Sequence, residues 1–300
     1  MTYDRDIPEA TKRAVRQECH FGCVICGMPV FEYDHIVPFA SVKEHVAANL
    51  ALLCPNHHRD KTSGRLAVER VAEARRQPFN ASHSRTAAYG LEASQALEVR
   101  VGSNVATGPI DAPDHHVIWI NGKCFVTIHR EDDAYTYSAL VTDADGQALL
   151  EIDHGALTVA TGVWDYTYEG RLVTVRSRKG VILLQAELTD RNFAILRGAF
   201  IDRFESGLFV RSDGTVVFTM SGLEVGSLGG SELAANANGA IAVVRNSCFE
   251  GPSPPGFGFV RGWAPEFEQR AEELRLRMVA GEPGRYPPGL DRFRVLPREQ

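Results

Sequence analysis

Two short pairs constrain this chain more than anything else in it: Cys23-Val24-Ile25-Cys26-Gly27 and, 27 residues later, Cys54-Pro55-Asn56-His57. Each offers two metal-binding side chains separated by two residues. Gly27 lets the backbone turn tightly after the second sulfur. Together the pairs supply three thiolates and one imidazole, a Cys₃His set suited to tetrahedral Zn²⁺. The 27 intervening residues are far from the roughly 12 of a C₂H₂ DNA-reading finger, so that motif fits poorly. Cys19 lies close enough to compete with Cys23, but Gly27 favours Cys23 and Cys26 as the ligands. Cys19 and His20 are read as a helix end beside the metal.

The metal reading needs a reducing compartment. The first ten residues contain no apolar run of signal-peptide type, and no run approaches the ~18 apolar residues of a membrane helix. A cytoplasmic chain with reduced thiols is expected, without membrane contact. Four of the six cysteines fall in the first 54 residues, and such clustering favours metal over disulfide. Cys124 and Cys248 are isolated and are read as small buried hydrophobes.

At 300 residues the chain has room for about two domains. Residues 8–19 read as a helix with Pro8 near its first turn, and 64–76 as a helix with Leu66, Val68, Val71 and Ala72 on one stripe and arginines opposite. From residue 115 the texture is that of strands, with turn signals at Asn121-Gly122, Asp145-Gly146, Glu169-Gly170 and Asp213-Gly214. The organisation expected is residues 1–78 as a small metal-organised domain, 79–114 as a linker, 115–250 as a β-rich domain and 251–300 as a loop, a helix and a tail. The β-rich part fits a sandwich, a barrel or a β-solenoid. The fold class is therefore α+β. Charge divides along the same line. Residues 1–90 carry 12 Lys/Arg and 10 Asp/Glu, whereas 91–300 carry 20 and 28, so nucleic-acid contact is expected on the N-terminal part. His115-His116 has no accompanying ligand cluster and reads as part of a loop.

Between the two metal pairs lies Asp34-His35, then Asn49-Leu50, and after the second pair come His58 and Lys61-Thr62. Over residues 12–76 this ordered set resembles the HNH endonucleases of the ββα-metal type. His57 stands where many relatives carry a second cysteine, and imidazole serves zinc as well. The resemblance implies a zinc-stabilised ββα-metal domain that hydrolyses phosphodiester bonds in DNA. Its structural zinc would sit on Cys23, Cys26, Cys54 and His57. His35 would be the general base, and Asp34 and His58 would hold one catalytic divalent ion (Mg²⁺, Mn²⁺, Ni²⁺ or Zn²⁺). Asn49 would support the base or its loop, and Lys61 and Arg65 would meet the nucleic acid. Glu32 falls on the same face as Asp34 if the stretch is a strand, and is read as a solvated carboxylate rather than a further ligand. The acidic β-rich part suits targeting, sensing or assembly, through a protein partner, an activating ligand or self-association. Restriction and anti-phage systems are among the settings in which such fusions occur. The alternative is a zinc-organised nucleic-acid or protein binding module without catalysis.

Overall fold

The computed structural model describes residues 6–91, 98–107, 113–120, 123–131, 134–189, 192–202, 205–220, 222–234, 239–245 and 259–261. The expected C-terminal helix, the Asn121-Gly122 turn and Cys248 lie outside them. The chain divides into two compact units, Met1–Tyr89 with Thr158–Glu169, and Gly90–Leu157 with Gly170–Gln300.

In the first unit, helix α1 spans Glu9–Glu18, with Pro8 at its N-cap. Strands β1 (Glu32–His35) and β2 (Leu50–Leu53) form an antiparallel pair that sets Asp34 opposite Ala51 and His35 opposite Leu50. Helix α2 (Pro55–Thr62) follows at once, with Cys54 at its N-cap and Pro55 in its first turn. The missing N–H of Pro55 costs nothing there, because the first amides of a helix have no intrahelical acceptor. Helix α3 spans Val68–Arg76 and stops before Pro78. The residues expected to open it, from Gly64 to Ala67, form a turn and the cap instead. Val71 and Ala74 are buried, but Val68 is exposed, so it departs from the expected stripe.

All four residues of β2 are buried, and they pack with Val15, Val24, Ile36 and Val71. This core lies directly under the metal pairs. A second anchor comes from Thr158–Glu169. Arg16 is wholly buried, and its guanidinium donates from Nε to Asp165 Oδ1 at 2.7 Å and from Nη2 to Asp165 Oδ2 at 3.0 Å. Nη1 reaches Tyr33 Oη at 2.5 Å and Nη2 reaches Glu9 at 2.6 Å. Gln17 Nε2 donates to the Trp164 carbonyl at 2.7 Å, and Arg13 lies 4.8 Å over the Trp164 ring.

The second unit is a curled, half-barrel β-sheet. Hairpins follow the chain: Asp114–Ile120 pairs with Lys123–Glu131, then Ala134–Thr142, then Ala148–Asp153. Leu172–Arg178, Val181–Leu188, Asn192–Ile201, Gly207–Val210 and Val216–Met220 continue the antiparallel pattern. The hairpin between the last two turns at Asp213-Gly214, where Gly214 takes φ of +83°. The expected linker also contains structure, the strands Glu98–Val101 and Asn104–Thr107, which pair with each other. His115 and His116 lie within the strand Asp114–Ile120, not in the loop expected of them. Cross-strand pairing of His115 with Ile128 and of His116 with Thr127 carries the strand through them. Cys124 is exposed rather than buried, near the start of its strand. No helix among the described residues is long and apolar enough to cross a membrane.

Candidate metal centre and catalytic cleft

Cys23 Sγ, Cys26 Sγ, Cys54 Sγ and His57 Nδ1 all lie within 4.8 Å of one another. His57 Nδ1 is 3.4 Å from Cys23 Sγ and 3.3 Å from Cys54 Sγ, and Cys26 Sγ is 3.8 Å from Cys54 Sγ. A tetrahedron with Zn–S bonds of about 2.3 Å and Zn–N bonds of about 2.0 Å has edges of roughly 3.8 Å and 3.5 Å. The donor set and its spacing therefore fit zinc. Cys19 is buried outside this group, and burial pushes its thiol up to about 11, as suits a neutral packing residue.

The first knuckle closes through Gly27 N–H to the Cys23 carbonyl at 2.7 Å and Cys23 N–H to the Met28 carbonyl at 2.9 Å. Gly27 takes φ of +77°. A Cβ there would lie 2.4 Å from Asn80 Oδ1 and 2.5 Å from the Phe79 ring. Asn80 is the pin: it is buried, and its Nδ2 donates to the carbonyls of His20 and Gly27, each at 3.1 Å. Sequence reasoning misses this residue, because a lone asparagine 53 positions from its partner carries no spacing signal.

Facing away from the cysteines, β1 and α2 enclose a cleft of about 420 Å³ whose walls include Asp34, His35, His58, Lys61 and Val68. Period-two alternation puts Glu32 and Asp34 on one face of β1. Both approach His58. Its Nδ1 contacts Glu32 Oε2, and its Nε2 is 3.5 Å from Asp34 Oδ1. A carboxylate only accepts hydrogen bonds, so Nδ1 carries a proton in the contact with Glu32, and the ring presents Nε2 to Asp34. Glu32, read from the sequence as a solvated carboxylate, is thus the partner that orients His58.

Lys61 is drawn into the cleft. Its Nζ donates to the His35 carbonyl at 2.5 Å and lies 2.7 Å from Asp34 Oδ2. The second contact is a close ion pair in which the Lys61 ammonium balances the buried Asp34 carboxylate. Asp34 and His58 together offer the mixed O and N donors that a small divalent cation takes. Asn49 fastens the chain just beyond His35: Val37 N–H donates to its Oδ1 at 2.8 Å, and its Nδ2 donates to the Val37 carbonyl at 3.0 Å. Burial, then His45, hold the His35 imidazole below its ordinary value; Asp34 opposes them and Lys61 adds a smaller push downward.

The arginines are less uniform than the sequence suggests. Arg65 pairs with Asp60 at 2.7 Å on the surface. Arg75 donates to the Leu50 carbonyl at 2.7 Å and contacts Glu18, so it braces the core. Arg70 pairs with Glu73 at 3.0 Å. A second cleft, about 380 Å³ in the β-rich unit, is bordered by Arg197, Arg211, Asp143 and Asp213. The one metal-ligand cluster among the described residues is the Cys₃His set of the first unit.

Comparison with protein families places a match to the HNH endonuclease family over residues 17–64. That span holds both metal pairs, Asp34-His35, Asn49 and His58. No curated protein and no solved structure matches the chain. The N-terminal unit therefore carries an HNH endonuclease domain, which supports a nuclease-type function acting on nucleic acid.

Proposed function

We propose that this protein is a metal-dependent DNA endonuclease whose chemistry resides in the N-terminal unit. The observation that carries the reading is the convergence of Asp34, His35 and His58 in one cleft, beside a separately built Cys₃His cluster. Zinc on Cys23, Cys26, Cys54 and His57 would be structural. Its role is to tie the knuckle at 23–27 to the N-terminus of α2, and so to fix His58 relative to β1.

In this mechanism His35 accepts a proton from the attacking water as that oxygen bonds to phosphorus. The bond from phosphorus to the leaving oxygen breaks on the opposite side. Asp34 and His58 would hold one divalent ion, Mg²⁺, Mn²⁺, Ni²⁺ or Zn²⁺, which when bound supplies positive charge beside the leaving oxygen. Asn49 keeps the chain after His35 in place. Lys61, whose Nζ pairs with Asp34 in the cleft, and Arg65, on the surface beside Asp60, would contact phosphates, a role that positions nucleic acid without reading its sequence. Targeting, sensing or assembly falls to the β-rich unit, with restriction or anti-phage defence in the cytoplasm as the setting.

The test uses the full-length chain on supercoiled, linear and single-stranded DNA with Mg²⁺ or Mn²⁺. Cleavage that EDTA stops and His35→Ala abolishes is the expected result. Equal cleavage by wild type and His35→Ala overturns the base assignment. One tightly bound zinc, no second divalent site and no cleavage would identify a binding module instead.

A further inference from the structure

We infer that His45 positions the general base by fixing its tautomer. The inference rests on the base role proposed for His35. His45 lies on the loop between β1 and β2, after the short helical turn Phe39–Val42. Its Nδ1 is 3.2 Å from His35 Nε2. The two rings sit 5.3 Å apart at 47°. Phe39 stacks on His45 at 4.6 Å and 13°, and its ring centroid is 5.4 Å from that of His35. The three rings form one block, closed at its base by the double hydrogen bond between Asn49 and Val37.

A neutral imidazole has one N–H and one lone pair, so it serves as a base through one nitrogen only. When His35 donates its Nε2 proton to His45 Nδ1, the lone pair resides on Nδ1 of His35. The opposite arrangement, with His45 as donor, spends the His35 lone pair and leaves no base. Base activity therefore selects one arrangement: His45 protonated at its own Nε2 and accepting at Nδ1, with His35 taking the water's proton at Nδ1. His45 does not touch the reacting atoms. It acts through the ring of His35, as a buried carboxylate does in other histidine-based sites. Lys61 holds the same residue from the other side, through its backbone carbonyl at 2.5 Å.

The test uses the full-length protein on duplex plasmid DNA at saturating Mn²⁺, with single-turnover rates, KM, zinc content and melting temperature for each variant. His45→Ala is expected to slow the chemical step about 10–100-fold, the usual cost of losing an orienting partner. KM and zinc content stay at wild-type values, and the loss is smaller than that of His35→Ala. His45→Asn places an amide oxygen near the position of Nδ1 and recovers most of the rate. A wild-type rate for His45→Ala overturns the inference, as does a loss confined to KM or one that Asn does not relieve. If wild type and His35→Ala cleave alike, the base reading fails. If only His35→Ala is inactive while His45→Ala is fully active, the base reading stands and this inference alone fails. ¹⁵N NMR of the histidine rings gives a readout independent of cleavage. His35 is expected protonated at Nε2 at neutral pH in wild type and His45→Asn, and as a tautomer mixture in His45→Ala. A wild-type His35 protonated at Nδ1 overturns the inference.

Discussion

His57 and His58 are consecutive on α2, yet their rings belong to different groups. His57 Nδ1 lies 3.3 Å from Cys54 Sγ, whereas His58 Nε2 lies 3.5 Å from Asp34 Oδ1. Successive helix positions point about 100° apart, so one turn of α2 serves both groups. His57→Ala is expected to unfold the N-terminal unit, because structural zinc contributes on the order of 10 kcal/mol. His58→Ala is expected to leave it folded with full zinc content but without cleavage. Zinc analysis, circular dichroism and plasmid nicking on the two variants check the split. Equal loss of fold in both would refute it.

The legible parts of this site are those that local chemistry spaces along the chain. The two metal pairs, Asp34-His35 and His58 stand at short intervals, and two Cys/His pairs at metal-ligand spacing have few alternative readings. The hidden parts arrive through tertiary contact. Asn80 pins Gly27 from 53 residues away, and His45 reaches His35 across a loop whose conformation no periodicity encodes. Glu32 was visible on the correct face of β1, but an exposed carboxylate reads as solvated until its histidine partner is in view. In the β-rich unit, the Asp145-Gly146 and Asp213-Gly214 signals located hairpins. Alternation alone did not place Thr158–Glu169 with the N-terminal unit, because the Arg16–Asp165 pair spans 149 positions.

Glu32 holds the far nitrogen of a proposed metal ligand, and such partners set ligand orientation and basicity. Glu32→Ala is therefore expected to weaken divalent-ion binding about 10–100-fold while leaving structural zinc in place. Cleavage titrated against Mn²⁺ should show the half-saturating concentration rise, with much of the activity recovered at high metal. Glu32→Gln, whose amide oxygen still accepts from Nδ1, should show a smaller rise. Unchanged metal dependence in both would return Glu32 to the surface role first read for it.

The Arg16–Asp165 pair is buried at both ends and bidentate. Breaking a buried pair from one side costs about 3–5 kcal/mol, because the remaining charge stays desolvated. Glu9 still contacts Arg16 at 2.6 Å, which sets the expected loss for Asp165→Ala near the lower end of that range. The double variant Arg16→Met with Asp165→Leu should be less destabilised than Asp165→Ala. Urea unfolding of the three proteins checks the order, and an Asp165→Ala variant as stable as wild type would sink the claim that this pair anchors the segment.

Alkaline titration probes the same segment without mutation. Burial raises Tyr166 well above its ordinary value, and burial followed by Tyr89 pushes Tyr168 up to about 12. An unfolded tyrosine titrates near pH 10. A raised folded value favours the neutral phenol, so these two tyrosines contribute stability that is fully present below about pH 10. That contribution is lost as the pH rises towards 12. Phenolate absorbance should therefore show the folded protein withholding part of its tyrosine signal above pH 10, with the remainder appearing together with loss of circular dichroism. Replacing Tyr168 by Phe should remove part of the withheld signal and reduce the alkaline loss of stability. A complete titration near pH 10 in folded protein would show that Thr158–Glu169 does not pack in the N-terminal unit as described.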